Sequence, residues 1–235
     1  MPEGVRIYAI GDVHGRDDLL SELQTMIYHD ASVVPYDRNV IIYLGDYIDR
    51  GLGVVKVIQN LMTPPPVSFE SHFLIGNHEA VLLQFLQDSR IGRDWMKFGG
   101  EATLHAYGVP APESSAPVEA FSAAQHELRA RLPADHLQFF RELRLTVAFG
   151  DYVFVHAGLR PGVPFPDQNP DDMIWIRDDF LDSDEDFGFV VVHGHTPRSA
   201  VIRRHNRIGV DTGAYYSDCL SALVLEGNNV RVLAT

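Results

Sequence analysis

The sequence predicts an α/β or α+β fold, and three observations carry that expectation. Apolar, β-branched runs alternate with amphipathic helical stretches from Val5 to Leu86. From Leu143 onward the pattern turns mainly to strands, and glycine with polar residues repeatedly follows a strand end. At 235 residues, the chain fits one domain with a large core, residues 1–235, carrying a helical, cap-like segment at 92–143.

Composition excludes several function classes. Net charge is −13 and the pI is near 5.1, the wrong sign for a broad nucleic-acid-binding face, so any phosphate must be drawn by a local site. The single cysteine, Cys219, permits no internal disulfide and reads as strand core. Met1 leads directly into a strand, and no apolar run could span a bilayer. A cytoplasmic protein without membrane or nucleic-acid partners is expected; no stretch specifies an oligomeric state.

The elements follow in order. Strand Val5–Ile10 ends in Gly11-Asp12-Val13-His14-Gly15, where alternation points Asp12 and His14 to one side, a pair that can bite a metal ion. A helix runs from Asp17 or Asp18 through about Tyr28. Strand Asn39–Leu44 then leads into Gly45-Asp46-Tyr47-Ile48-Asp49-Arg50-Gly51, with two carboxylates and a guanidinium on one loop at the carboxyl edge of a sheet. A second helix around Val54–Met62 stops at Pro64-Pro65-Pro66. The third strand, Ser71–Ile75, meets Gly76-Asn77-His78-Glu79, whose Asn77 and His78 face different ways if extended, before a helix from Ala80. Residues 92–143 look helical and less site-like, and their His105, His126 and His136 read as surface or core. Strand Tyr152–Val155 precedes His156-Ala157-Gly158, Met173–Arg177 sets a cation beside apolar anchors, and Phe189–Val192 leads into His193-Gly194-His195-Thr196.

These five motifs, Gly-Asp-Val-His-Gly, Gly-Asp-Tyr-Ile-Asp-Arg-Gly, Gly-Asn-His-Glu, His-Ala-Gly and His-Gly-His-Thr, occur in one order from Gly11 to Thr196. They resemble the phosphoprotein phosphatase branch of the calcineurin-like metallophosphoesterases; Gly99-Gly100, Met173–Arg177 and Asp211-Thr212-Gly213-Ala214 look most like its bacterial and phage members and the related symmetrical diadenosine tetraphosphatases. The resemblance implies two facing mixed β-sheets flanked by helices. It implies one metal held by Asp12, His14 and Asp46 and a second by Asp46, Asn77, His156 and His195. Carboxylates with imidazoles suit manganese, iron or zinc, and manganese is the expected ion, with iron or zinc as alternatives. Two such ions, about 3.5–4 Å apart, would lower the pKa of a shared water, and the resemblance implies that the resulting hydroxide would attack phosphorus in line. Arg50 and Arg177 would hold the phosphoryl oxygens, His78 would protonate the leaving oxygen, and Asp49 would orient His78. His193 would be structural, because Pro197 occupies the position after Thr196.

Other classes fare worse. Lys56 and Lys97 follow no glycine, which excludes a P-loop, and Cys219 lacks the phosphate-cradling loop of a cysteine phosphatase. A catalytically lapsed binding module is disfavoured, since every position that catalysis requires is filled. The favoured activity is a serine/threonine protein phosphatase acting on phosphorylated proteins, with a symmetrical diadenosine tetraphosphatase or another small-phosphoester hydrolase as the alternative. No adenine site is evident, although Tyr47, Trp95 or Trp175 could stack a base.

Overall fold

The computed structural model describes residues 1–235. Strands β1 (Val5–Ile10), β2 (Arg38–Tyr43) and β3 (Phe69–Phe73) run parallel, joined by α1 (Asp17–Val33) and α2 (Val54–Met62). Then come α3 (Asn77–Phe85), α4 (Gly92–Lys97), α5 (Gly100–Ala106), α6 (Val118–Arg131) and α7 (Ala134–Glu142). The hairpin of β4 (Thr146–Phe149) and β5 (Tyr152–Val155) is followed by α8 (Pro170–Trp175) and α9 (Asp178–Leu181). Short strands β6 (Val190–His193), β7 (Ile202–Arg203) and β8 (Arg207–Gly209) lead through α10 (Ala214–Ser217) to the hairpin β9 (Ser221–Glu226) and β10 (Asn229–Ala234).

Two five-stranded mixed sheets result, ordered β10-β9-β1-β2-β3 and β4-β5-β6-β8-β7, as the resemblance implies. Strand alternation decides which residue meets which layer. Ile7 and Ala9 of β1 join Val40, Ile42, Phe154, Val192 and Ile208 in a core between the sheets, whereas Tyr8 and Ile10 face the helices on the other side. That helix-side core is the larger, with 33 buried residues, and it takes in Trp95, Leu104, Phe121, Leu128 and Phe140. Residues 92–143 therefore pack into the main core and bring their first two helices against the Asp46–Gly51 loop. A third cluster, including Val155, Phe180 and Val191, covers the outer face of the second sheet under α9.

Several boundaries differ from the sequence expectation for physical reasons. Helix α1 passes Tyr28 because Ala31 is still buried, and it stops where Val34, preceding Pro35, is forced into extended geometry. Strand β3 ends at Phe73, and Ile75 N–H instead donates to the Arg144 carbonyl at 2.8 Å, tying the strand end to the chain entering the second sheet. Helix α3 begins at Asn77 rather than Ala80. Cys219 is half-buried just before β9 rather than in the core.

Candidate metal centre

The parallel strands point their carboxyl ends at one edge, and the polar loops gather there in strained backbone. Five of the six non-glycine residues with positive φ are at this edge: His14 at 44°, Asp46 at 53°, Asp49 at 68°, Arg50 at 66° and His195 at 65°. Each such conformation costs about 1–3 kcal/mol and persists only where the surroundings dictate it. The amides of Val13 and His14 both donate to the Asp46 carbonyl, at 3.1 and 2.9 Å. Glu79 accepts from the amides of Asp46 (3.0 Å), Tyr47 (2.7 Å), Ile48 (3.3 Å) and Gly76 (3.0 Å), and so fastens the loop to the start of α3. The approach is so close that a Cβ at Gly76 would lie 2.1 Å from Asp46 Oδ1.

Backbone carbonyls also fix the imidazoles. His14 Nδ1 lies 2.9 Å from the Ile48 carbonyl and His156 Nδ1 lies 2.8 Å from that of Leu44; a carbonyl only accepts, so each Nδ1 carries the proton. Both Nε2 atoms face the centre, and that of His14 keeps its lone pair; burial opposes charge on the His156 ring, but Asp46 and then Asp12 outweigh it and raise its pKa to about 10, so a metal ion there would displace the Nε2 proton. Asp46 divides its two oxygens between two groups. Oδ2 lies 3.6 Å from His14 Nε2 and 3.8 Å from His78 Nε2, while Oδ1 lies 3.4 Å from His156 Nε2. His156 Nε2 is in turn 3.1 Å from Asn77 Oδ1 and 3.2 Å from His195 Nδ1.

The donor set fits divalent cations. His14, Asp46 and His78 form one group that could hold a metal ion, and Asp46, His156 and His195 form another, with every member buried. His195 Nε2 is buried without any hydrogen-bond partner. Burial pushes His14 down to about 3 and, with His156 and then Arg177 acting in the same direction, His195 down to about 2, which keeps both rings neutral. Asp12 accepts the His195 amide at 3.1 Å, turning its carboxylate toward the second group, so the tight first group contains His78 in the place expected for Asp12. Burial, together with the carboxylates of Asp211 and Asp46, raises Asp12 well above the ordinary range. Three buried carboxylates this close call for positive charge among them. Asp211, anchored by the Gly213 amide at 2.8 Å, belongs to a segment that carries the family resemblance but is not among the expected ligands.

His78 is built differently. Its Nδ1 lies 2.6 Å from Asp49 Oδ2, and its Nε2 lies 3.4 Å from Arg50 Nη2. Burial opposes charge on the ring, but Asp46 and Asp49 outweigh it and raise its pKa. Asp49, fully buried, also accepts from Trp95 Nε1 at 2.8 Å and from Thr103 Oγ1. Both donors come from the segment that looked less site-like. The only sequence sign of them is Gly99-Gly100: Gly99 sits at φ 95° with its carbonyl accepting the Arg50 amide at 3.1 Å, and a Cβ there would meet Arg50 Cγ at 2.8 Å.

Arg177 is exposed and makes one side-chain hydrogen bond, to Thr196 Oγ1 at 3.3 Å. Exposed aromatic rings surround the polar floor. Phe98 lies 6.4 Å from His78 and 6.0 Å from Trp175, Trp175 lies 6.3 Å from His195, and Tyr215 lies 5.6 Å from His14 with the Arg50 guanidinium 4.4 Å from its ring centre. Tyr47 and Trp95 are fully buried and unavailable to a ligand. His105 and His126 are exposed and His136 is buried against the Tyr107 hydroxyl, as expected of non-ligands. Arg16 and Arg160 are engaged by Asp18 and Asp218, and by Asp172 and Asp179.

Comparison with known proteins agrees with this geometry. The asymmetrical bis(5′-nucleosyl)-tetraphosphatase PrpE of Halalkalibacterium halodurans is 26% identical over 241 residues, covering 91% of this chain and 87% of that protein. Among solved structures, a candidate diadenosine tetraphosphatase superposes with a TM-score of 0.64 at 19% identity, covering 97% of this chain and 93% of that one. A cold-active protein-tyrosine phosphatase of a Shewanella species superposes with a TM-score of 0.56 at 17% identity, covering 99% and 80%. Residues 5–234 match the calcineurin-like phosphoesterase family, and the chain belongs to that family.

Proposed function

We propose that this phosphoesterase hydrolyses dinucleoside polyphosphates at the Asp46 centre. The observation that carries the reading is the aromatic rim. Phe98 and Trp175 flank one side of the histidine floor and Tyr215 with Tyr216 the other, their side chains 37–58% exposed. Open aromatic faces beside a phosphate site suit the stacking of nucleobases, and two flanks suit a substrate with two bases. The relatives named as tetraphosphatases support the same class. The serine/threonine protein phosphatase expected from the motifs gives way to its small-molecule alternative, and the relatives' names add asymmetrical, rather than symmetrical, cleavage.

The residues divide the work. Asp12, His14 and Asp46 would hold one divalent ion and Asp46, Asn77, His156 and His195 the other, a carboxylate-and-imidazole set that manganese, iron or zinc would suit. Bound there, the ions supply positive charge and a lowered water pKa. Asp49 holds the His78 ring through Nδ1, leaving Nε2 to present a proton to the leaving oxygen. Arg50, stacked on Tyr215 and beside His78, binds phosphoryl oxygens from one side, and Arg177 from the other. The test is kcat/KM for diadenosine tetraphosphate against a phosphothreonine peptide at equal manganese and salt. A clear preference for the dinucleotide is expected; a preference for the peptide overturns the substrate class and leaves the metal centre standing.

A further inference from the structure

Behind the His195 loop, on the outer face of the second sheet, lies a cavity of about 250 Å³. Arg198, Arg204 and Arg207 line it together with His193, Thr196 and a single carboxylate, Asp182. Arg207 is the informative member. It is only 4% exposed, yet its guanidinium bonds neutral acceptors alone: the carbonyls of Leu181 and Ser183 and, at 3.3 Å, Asn206 Oδ1. No carboxylate is in ion-pair range of it, and Arg198 on the rim has no ion-pair partner either. Arg204 is engaged only by Asp184, an exposed residue 3.5 Å away. Asp184 and Asp182 act on Arg207 only from beyond ion-pair range; a buried cation with no directly paired carboxylate is costly to keep, and an anion entering from the cavity supplies the contact. In a chain of net charge −13, three guanidinium groups around one hollow are a local reversal of the prevailing field.

The cavity adjoins the centre. Thr196 lines it and also accepts the Arg177 hydrogen bond, and the residue before Thr196 is His195. We propose that this cavity is a second anion site that takes an oligophosphate chain. Its source is either the phosphate arm of the substrate beyond the cleaved bond, which rests on the dinucleotide reading above, or a separate oligophosphate bound beside the centre.

The test uses the manganese-loaded protein and the double variant R198A/R204A, whose replaced side chains are both exposed. Calorimetric titration with tripolyphosphate, manganese in excess of the probe, should show binding at least about tenfold weaker in the variant, the loss expected for charge-assisted hydrogen bonds. The variant R198K/R204K should recover part of it. Turnover of p-nitrophenyl phosphate, too short to reach the cavity, should stay within about twofold by the same reasoning. If the substrate supplies the chain, KM for diadenosine tetraphosphate also rises about tenfold at constant kcat. If a separate molecule supplies it, that KM is unchanged. Equal tripolyphosphate affinity in wild type and R198A/R204A overturns the site, as does a matching loss of p-nitrophenyl phosphate turnover. Failure of the wild type to hydrolyse the dinucleotide sinks only the substrate reading, because the tripolyphosphate titration is independent of it.

Discussion

The two sides of the centre are built to different standards. On the first-sheet side, Asp49 is fully buried and bonded by His78, Trp95 and Thr103, while Glu79 gathers four backbone amides of the loop and helix start. On the second-sheet side, His195 Nε2 has no partner and Arg177 rests in the open on one 3.3 Å hydrogen bond. The first side is fixed by protein before anything binds. The second is completed by what binds, so damage there should fall on affinity, and damage to the first side on the rate.

The largest effect is expected where the sides meet. Asp46→Asn removes the charge that both groups share, and turnover of any phosphoester should fall by at least about 10³-fold, the scale of losing a principal electrostatic element. Retention of a tenth of wild-type activity would show that the two groups do not act through Asp46. Next is His78→Asn, with an expected loss of about 10²–10⁴-fold on an alkyl phosphate, whose leaving oxygen needs a proton. A p-nitrophenyl ester, with its acidic leaving group, should lose far less; equal losses would assign His78 to positioning phosphate instead.

Smaller effects separate the sides directly. Thr103→Val and Trp95→Phe each take one donor from Asp49 without touching the substrate. Each should lower kcat by about 10–100-fold with KM nearly constant, as for groups that orient a functional side chain. Arg177→Ala should instead raise KM by about tenfold, one charge-assisted contact, with a modest change in kcat. If Thr103→Val moved only KM, the rigid side would be no more preorganised than the open one.

What the sequence made legible follows the same division. The metal-type donors could be read because they sit within a residue or two of strand-ending glycines, and the element order leaves one edge for them to share. Trp95 and Thr103 could not, since they lie 46 and 54 residues from Asp49 and carry the residue types of ordinary helix core. The start of α3 is hidden for a related reason. Asn77 and His78 look like an extended strand exit, and only the Glu79 carboxylate reaching back to the Gly76 amide shows that the helix has begun. The aromatic rim was least legible, because it is assembled from Phe98, Trp175 and Tyr215, three separate segments that meet only in the fold.

The central claim is that one buried carboxylate serves two cations. Manganese titration of metal-stripped protein by calorimetry tests it with no substrate present. Wild type should take up two ions per chain, and Asp46→Asn should lose high-affinity binding at both positions, since each oxygen of Asp46 faces a different imidazole set. Two intact high-affinity sites in Asp46→Asn would contradict the account.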